Sequence, residues 1–534
     1  MIERILTVGG FTLLSRISGF IRDIILAAVL GAGPVADAFF VALRLPNHFR
    51  AIFAEGAFNA AFVPAYARIR EQGGAARAGQ FADRIFTLLL ASQIVLLAVA
   101  LVFTPAVIGV LAPGFSRDPG RFALAVELTR ITFPYLLLIT LVTLYGGILN
   151  ALQRFAAAAA APILLNLSLI LALALAAFFP TAGHAAAWGV LLAGILEFLL
   201  VAGDAGLAGV LTKFRWPELD ADVRQFFRAL GPATLGSAGV QLALFADTII
   251  ASFLPAGALS ALYYADRLNQ LPIGVIGIAA GTVILPEMSR RIAGGDHHGA
   301  AQAQNRAIEF TLLLSIPCVI AFFVIPDLIM RALFMRGAFT AADADAAGRT
   351  LTAYAFGLLP FVLMRSAVAT FFARGDTATP VKAALIAAAV NIAFKVLLMG
   401  SLAQVGLALA TSIGAWINFV LVLWFARREG LIGFDAALRS SLGKLVIANG
   451  AFAIFLFVAA RFVTALLPSW PSFRDSSELI VLAVLGGLFY GALVAALFGR
   501  QWLSRLRQRA RKAPASPREA FEATSAPAPK LDQS

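Results

Sequence analysis

The sequence predicts an all-α polytopic membrane protein with fourteen transmembrane helices, in which two pseudo-symmetric six-helix bundles precede two C-terminal helices. Of its 534 residues, 60% are hydrophobic and only 13% are charged, whereas soluble domains carry about 25% charged residues. The apolar stretches have the length that a bilayer-spanning helix needs, about 20 residues. They lack the strict alternation of barrel strands, so helices are predicted.

The fourteen predicted spans follow one another with mostly short connections. They lie at residues 5–30, 36–66, 82–111, 122–153, 158–179, 185–211, 229–253, 258–288, 306–334, 347–373, 380–401, 404–426, 442–466 and 478–498. Even-numbered loops carry basic residues, such as Arg68, Arg70 and Arg77, whereas the opposite loops, such as 31–37 and 254–260, are nearly uncharged. Because cytoplasmic loops carry an excess of Lys and Arg, both termini are predicted to face the cytoplasm of a bacterial inner membrane.

An internal repeat relates the two predicted bundles, at an offset of about 220 residues. FVPAYARI (62–69) closes the second span as ILPEMSRRI (284–292) closes the eighth, and LRLP (43–46) has a counterpart in DRLNQLP (266–272). Each unit holds six spans, so both units have the same membrane orientation. Parallel repeats are typical of transporters whose substrate site lies between the halves near the midplane.

Five segments are therefore predicted along the chain. They are a first bundle (1–212), an interfacial amphipathic linker (213–230), a second bundle (231–428), two extra helices (429–500) and a basic, then disordered, cytoplasmic tail (501–534). The linker contains WPELDADVRQFFRAL (216–230), where acidic and apolar residues alternate at helical spacing. The end of the tail is rich in Ala, Pro and Ser, a composition that disfavours a packed core.

Composition also excludes several classes of function. The net charge of +13 lies in short loops and in the tail, a distribution that the positive-inside rule explains without a nucleic-acid partner. With Cys318 as the single cysteine and four histidines, neither an intramolecular disulfide nor a transition-metal site is expected. No phosphate-binding loop or hydrolase motif occurs, and no cofactor is predicted. The N-terminus does not resemble a cleaved signal peptide.

Six charged residues interrupt the first two apolar stretches. They are Arg16, Arg22, Asp23, Asp37, Arg50 and Glu55. An ionisable side chain at bilayer depth costs about 2.5–3.5 kcal/mol on insertion scales, so these residues are expected to face a polar cavity. Three arginines there favour an anionic ligand, and phosphate suits guanidinium groups best.

In the first predicted span, Ser15, Gly19 and Arg22 share one helical face. Arg16 and Asp23 form the adjacent stripe, either as a structural ion pair or as part of the ligand site. Arg22 has no acidic residue at i+3 or i+4, which makes it the better ligand candidate.

The second span carries Asp37, Arg44, His48 and Glu55 on one helical face. Arg44, His48 and Arg50 alternatively lie near a helix end, where they reach lipid headgroups. This alternative is favoured for His48. For Arg50 the cavity is favoured, because the apolar run 52–62 continues beyond it.

Two further elements contribute candidate polar residues. In the eighth span, Arg267, Gln270 and Gly274 share a face, and Asp266 lies beside Arg267. Asn166 follows the proline that opens its span. It serves either as a cavity residue or, as is more common for a buried amide, as a hydrogen-bonding group between helices.

Five motifs carry a family resemblance. They are SRISGFIRD (15–23), GAGPVADAFFVALRLPN (31–47), FAEGAFNAAFVP (53–64), YYADRL (263–268) and LFMRGAFT (333–340). As a set they resemble the lipid II flippase family, MurJ or MviN, within the wider family of multidrug and oligosaccharidyl-lipid flippases. The resemblance covers about residues 1–500. It implies two six-helix bundles around a V-shaped cavity, with the last two helices forming a groove for a lipid tail.

The resemblance also implies a substrate and a set of site residues. The substrate is lipid II, and Arg16, Arg22, Arg50 and Arg267 match positions that bind its pyrophosphate. The matching cavity and gating positions are Ser15, Asp23, Asp37, Glu55 and Asn166. Gln270 departs from the family, because some relatives carry an acidic residue there, which puts any proton or cation role of that position in doubt.

The expected mechanism is alternating access, in which the headgroup of lipid II occupies the cavity and the two bundles rock. Membrane lipids are the surrounding partners, and the cell-wall synthesis machinery is a further expected partner. The sequence leaves open whether membrane potential or a cation gradient drives transport. Alternative functions are a flippase for another polyprenyl-linked oligosaccharide, a cation-coupled drug exporter, a polyprenyl-phosphate-dependent glycosyltransferase and a scaffold of the division machinery.

Overall fold

The computed structural model describes residues 2–50, 57–216, 218–466 and 474–512, with the backbone alone in parts of these ranges. Across the described residues the chain is helical and contains no strand. Nine helices in this part of the chain are long and apolar enough to cross a membrane. The prediction of an all-α polytopic membrane protein is therefore confirmed, whereas the count of fourteen spans and their grouping into bundles stay predictions.

Eight helices form the part of the chain that precedes the predicted linker. They are α1 (Ile2–Leu30), α2 (Pro34–Phe49), α3 (Ala57–Val102), α4 (Thr104–Leu111), α5 (Pro119–Thr132), α6 (Tyr135–Ala151), α7 (Ala156–Ala174) and α8 (Ala182–Leu207). We call this part the first half. Its helices bury aromatic side chains such as Phe39, Phe62 and Tyr135 against one another.

Seven helices follow in the second half, and two more complete the chain. The seven are α9 (Ala221–Ser252), α10 (Ala258–Pro272), α11 (Ile278–Ala293), α12 (His297–Val324), α13 (Pro326–Phe334), α14 (Ala341–Phe372) and α15 (Ala378–Arg428), and the two are α16 (Ala436–Leu466) and α17 (Arg474–Lys512). A π-helical segment, Ile273–Gly277, joins α10 to α11. Such segments are often found at functional sites.

One long helix corresponds to two of the predicted spans. Helix α15 has 51 residues, or ~77 Å at 1.5 Å per residue, far more than the ~30 Å core of a bilayer. Its path breaks at Ala403, which has φ 46° and ψ −127°. This break lies between the predicted spans 380–401 and 404–426, so the helix has the length and the bend of two crossings.

Two other predicted spans each overlap two helices. The predicted span 36–66 covers α2, which ends at Phe49, and the start of α3 at Ala57, and its continuity stays a prediction because residues 51–56 lie outside the described part. The predicted fourth span corresponds to one candidate crossing, Pro119–Ala151, within which α5 and α6 meet at Phe133 and Pro134. The proline has no N–H to continue the hydrogen bonding of α5.

The loops gather at two opposite ends of the molecule. The short-loop end comprises residues 31–33, 112–118, 253–257 and 335–340, and the basic end comprises 208–216, 218–220, 294–296, 373–377 and 429–435. At the short-loop end the halves touch through their backbones, since Ala338 N donates to Ala28 O at 2.7 Å. Gly31 has φ 67°, and a Cβ there would stand 2.6 Å from Ala338 O. The close approach of the two halves therefore requires glycine at this position.

At the basic end, the predicted amphipathic linker leads into α9. Asp220 caps this helix by accepting from Val223 N at 2.8 Å. Arg77 of α3 pairs with Asp222 at 2.8 Å, and Arg84 of α3 pairs with Asp220 and Glu218. Charge complementarity thus attaches the start of the second half to α3.

The two C-terminal helices are anchored to the second half at both ends. At the basic end, Arg306 of α12 pairs with Asp435 at 2.8 Å, and Ser441 donates to the buried Glu309 at 2.7 Å. At the short-loop end, Arg331 lies 3.6 Å from Asp475. These contacts hold α16 and α17 against the second half as an added pair.

Candidate functional site

The polar face of α1 is organised by one asparagine of α7. Asn166 donates from Nδ2 to Ser15 O and to Ser18 Oγ, each at 2.9 Å. Its Oδ1 accepts from Arg22 Nη1 at 3.0 Å. A Cβ at Gly19 would lie only 3.4 Å from the amide, so the small residue lets α7 approach. Asn166 therefore both joins two helices and orients Arg22.

A cluster of two arginines around one carboxylate links the two halves. Asp23 is 4% exposed and accepts from Arg22 Nη2 at 2.7 Å. From α10, Tyr263 donates its hydroxyl to Asp23 Oδ1 at 3.2 Å, and Arg267 Nε lies 3.8 Å from Asp23 Oδ2. Arg22, Asp23 and Arg267 are called the arginine triad below. One carboxylate shared between two guanidinium groups leaves the triad with a net positive charge.

The partner of Asp23 differs from the one that spacing suggested. The structure pairs Asp23 with its neighbour Arg22 rather than with Arg16, because a long arginine side chain reaches an adjacent carboxylate directly. Arg16 is exposed and extends to the π-helical segment, where a Cβ at Gly274 would stand 2.8 Å from its Nη1. Both arginines of α1 thus reach the second half, at different levels.

The depth of each arginine along its helix follows from the helical rise of 1.5 Å per residue. Counted from the helix ends at the short-loop end, Arg22 and Arg267 lie ~12–14 Å deep. Arg16 and Arg50 lie ~21–24 Å deep by the same count. Arg50 is half-buried and ends α2, while Glu55 lies outside the described residues. The four predicted arginines therefore form two levels along the path between the two ends.

Asp37 is placed apart from the triad, at the short-loop end. It is fully buried and accepts from Gly257 N at 2.8 Å, Ser260 N at 2.9 Å and Ser260 Oγ at 2.5 Å. Arg121 of α5 lies 3.5 Å from the same carboxylate. These contacts cap the N-terminus of α10, where a negative charge is favoured. We call Asp37 with Gly257 and Ser260 the short-loop latch, because it joins the first half to the second.

Two other predicted residues have local partners. Gln270 is exposed and donates to Asp266 one turn earlier, at 2.5 Å. Arg44 donates from Nη1 to Thr248 Oγ1 at 2.8 Å. Arg44 therefore contacts α9 of the second half in place of a lipid headgroup.

Three basic residues that contact other helices were not predicted from the sequence. Arg121 supports the latch, Lys395 of α15 is 3% exposed and pairs with Asp247 of α9, and Arg365 of α14 is exposed beside Gly281. A signal for two of them existed, because Lys395 and Arg365 are single charges within apolar runs, and such residues are rarely without a function or a partner.

Comparison with known structures identifies the fold. The chain superposes with a TM-score of 0.61 on a multidrug resistance MATE family transporter of the MOP superfamily in an inward-facing conformation, over 81% of this chain and 98% of that one at 14% identity. A solved structure of "Lipid II flippase MurJ, inward closed conformation" gives a TM-score of 0.77 at 23% identity, over 92% of this chain and 98% of that one. The chain therefore shares the all-helical fold of these two structures.

The sequence comparisons specify the family. Residues 26–470 match the profile of the family described as "Lipid II flippase MurJ". A "Probable lipid II flippase MurJ" of Rhizobium meliloti (strain 1021) is 41% identical over 475 residues, which are 88% of each protein. The chain therefore belongs to the lipid II flippase MurJ family, and the resemblance predicted from its motifs is confirmed.

Proposed function

We propose that this protein is a transporter and not an enzyme, and that it flips lipid II from the inner to the outer leaflet of the bacterial cytoplasmic membrane for peptidoglycan synthesis. Lipid II is undecaprenyl-pyrophosphoryl-MurNAc-pentapeptide-GlcNAc. The family assignment and the names of the relatives support this function. The observation that carries it is the arginine triad, which presents two guanidinium groups from opposite halves around a single carboxylate.

The triad suits a pyrophosphate because of its charge and its geometry. Arg22 and Arg267 both contact Asp23, and a ligand with two phosphate groups offers each arginine a bidentate partner in its place. The exchange replaces one carboxylate, which Arg22 binds at 2.7 Å and from which Arg267 lies 3.8 Å, by bidentate charge-assisted bonds for both arginines. Arg16 and Arg50, one to two helical turns nearer the basic end, provide an earlier contact for the same anion.

The direction of transport follows from the charge of the loops. The basic end faces the cytoplasm by the positive-inside rule, which places both termini inside and the short-loop end outside. The latch then closes the outer end, so lipid II enters from the cytoplasmic side with its headgroup between two six-helix bundles of a fourteen-span protein. Its polyprenyl tail occupies the groove of α16 and α17. Rocking of the halves breaks the latch and releases the headgroup outward.

No cofactor takes part in this mechanism. The energy comes from the membrane potential or from a cation gradient, and the released lipid II is delivered to the cell-wall synthesis machinery. A cation-coupled drug exporter is the competing function within the same fold. Acidic and aromatic cavity residues would suit a cationic drug better than a pair of arginines does.

A lipid II accessibility assay tests the proposal. Cells depleted of their own flippase and supplied with this protein are expected to expose lipid II at the outer leaflet and to grow. Arg22→Ala and Arg267→Ala are expected to abolish both readouts while the protein accumulates at the wild-type level. Arg349→Ala serves as the control, because Arg349 is an exposed arginine paired with Asp345 at 2.8 Å, away from the triad. Full growth with both triad variants would refute the assignment.

A further inference from the structure

An apolar cavity lies at the seam between the two halves. It has a volume of about 480 Å³ and lies among α2, α3, α4, α5 and α9. Its apolar lining includes Leu45, Val99, Val110, Phe133, Phe245 and Ile249. The last two belong to the second half and the others to the first. None of the described residues of the triad or the latch lines this cavity.

The apolar lining of the cavity favours a hydrocarbon ligand. Val99, in the candidate span Phe58–Val102, is 49% exposed, and Val110 of the short helix α4 is 73% exposed, so the cavity is open to the side on which lipid tails are expected. Water gains no hydrogen-bond partner from such a lining and is disfavoured there. At about 30 Å³ per water-sized group, the volume accommodates roughly 16 methylene groups, which is the length of one acyl chain.

An exposed arginine, Arg117, lies at the short-loop side of this cavity. Ile249 lines the cavity, and Phe253 follows it one helical turn nearer the short-loop end. The guanidinium group of Arg117 lies 5.5 Å from the centre of the Phe253 ring. Arg117 is exposed, and it belongs to the loop at which membrane headgroups are expected.

The carboxylate of Asp118, next to Arg117 in the chain, binds another group. Asp118 caps α5 by accepting from Arg121 N at 3.1 Å, and no described carboxylate forms an ion pair with Arg117 within 4.0 Å. A cation held on an aromatic ring above an apolar cavity is complementary to a lipid with an anionic phosphate and an acyl chain.

We propose that this cavity binds one anionic phospholipid from the leaflet at the short-loop end, with one acyl chain in the cavity and its phosphate at Arg117. The bound acyl chain contacts both Leu45 of α2 and Phe245 of α9, so it bridges the interface between the two halves. The site is separate from the groove of α16 and α17 and from the arginine triad.

Native mass spectrometry of the purified full-length protein tests this site. The protein is held in detergent micelles with phosphatidylglycerol or with phosphatidylcholine that has the same acyl chains. We expect one phosphatidylglycerol molecule to bind at least tenfold more tightly than any further copy. Because the readout is binding, it is independent of whether the protein flips lipid II.

Two matched pairs of variants separate the acyl chain from the headgroup. Ala106 lines the cavity and is exposed, so Ala106→Trp is expected to fill the cavity without unfolding the protein and to weaken the first site more than tenfold. Ala98→Trp, on the exposed surface of α3 outside the lining, is expected to leave it unchanged. Arg117→Gln should reduce the preference for phosphatidylglycerol about fivefold, the equivalent of ~1 kcal/mol for one basic residue, whereas Arg349→Gln should not.

Three results would overturn the proposal. Equal phosphatidylglycerol binding by the Ala106→Trp and Ala98→Trp variants would show that the chain binds elsewhere. An unchanged headgroup preference in Arg117→Gln would remove the phosphate contact. Displacement of phosphatidylglycerol by an equal concentration of undecaprenyl phosphate would assign the cavity to a polyprenyl chain instead of a phospholipid.

Discussion

Replacing Asp37 by alanine should release the short-loop end of this transporter. The carboxylate accepts three hydrogen bonds from the N-terminus of α10, two from the backbone of Gly257 and Ser260 and one from the Ser260 hydroxyl. Asp37 belongs to the first half and α10 to the second. Losing these hydrogen bonds therefore destabilises the conformation in which the two halves touch at this end.

The magnitude follows from the hydrogen bonds that are lost. A bond to a charged group contributes about 1.5–3 kcal/mol. At the lower figure, three bonds stabilise the closed conformation by ~4.5 kcal/mol, which is about two thousandfold in the equilibrium between closed and open states. Asp37→Asn keeps one carbonyl acceptor but loses the charge that faces Arg121, so a smaller shift of about tenfold is expected.

Distance measurements between spin labels on the two halves give the assay. Ser116 and Ala342 are exposed at the short-loop end, one on each half, and cysteines at these positions can be labelled after Cys318→Ser removes the single native thiol. We expect one short distance in the parent protein, a predominant longer distance with Asp37→Ala and a mixture with Asp37→Asn. Asp204→Asn is the control, because Asp204 pairs with Arg154 within the first half. An unchanged distance distribution in Asp37→Ala would refute the latch.

Two further substitutions probe other contacts between elements. Gly274→Ala places a Cβ 2.8 Å from Arg16 Nη1. It should displace that arginine and lower growth in the complementation assay at normal protein levels, whereas Gly109→Ala, with open space around it, should have no effect. Lys395→Met leaves the Asp247 carboxylate without its buried ammonium partner. It should destabilise the protein by ~1–3 kcal/mol, since the Asp247 side chain is 29% exposed. The measurement is a lower melting temperature in detergent that the added Asp247→Asn change partly restores, and equal melting of single and double variants would contradict this.

A candidate site residue could be predicted from the sequence where its charge is unusual within its own segment. A charged side chain in an apolar run is visible without knowledge of the fold, and Arg22 and Arg267 were identified in this way. The membrane class follows from the same apolar runs. The break between α5 and α6 was not predicted, because hydropathy continues across positions such as Pro134 where the backbone hydrogen bonding is interrupted.

The partners of these residues depend on how the two halves meet. Spacing along α1 paired Asp23 with Arg16, but Tyr263 and Arg267 approach Asp23 from another helix. Asp37 was expected to form a gating ion pair. Its main partners are backbone N–H groups of α10, which every sequence supplies and which no residue pattern distinguishes.

Helix α10 connects the arginine triad to the short-loop latch. Ser260, Tyr263 and Arg267 follow one another at helical spacing on one face of α10. Asp37 holds the first of them and Asp23 contacts the other two. A pyrophosphate that draws Arg22 and Arg267 away from Asp23 removes the lower of these two attachments. The latch and the aromatic contacts of Phe40 with Tyr263 and Tyr264 then hold α10 against the first half, so the anion shifts the equilibrium toward opening by its differential affinity for the open state. This linkage explains why a transporter without enzymatic chemistry places a buried carboxylate beside its arginines, since the carboxylate holds the closed state until the substrate competes for its partners.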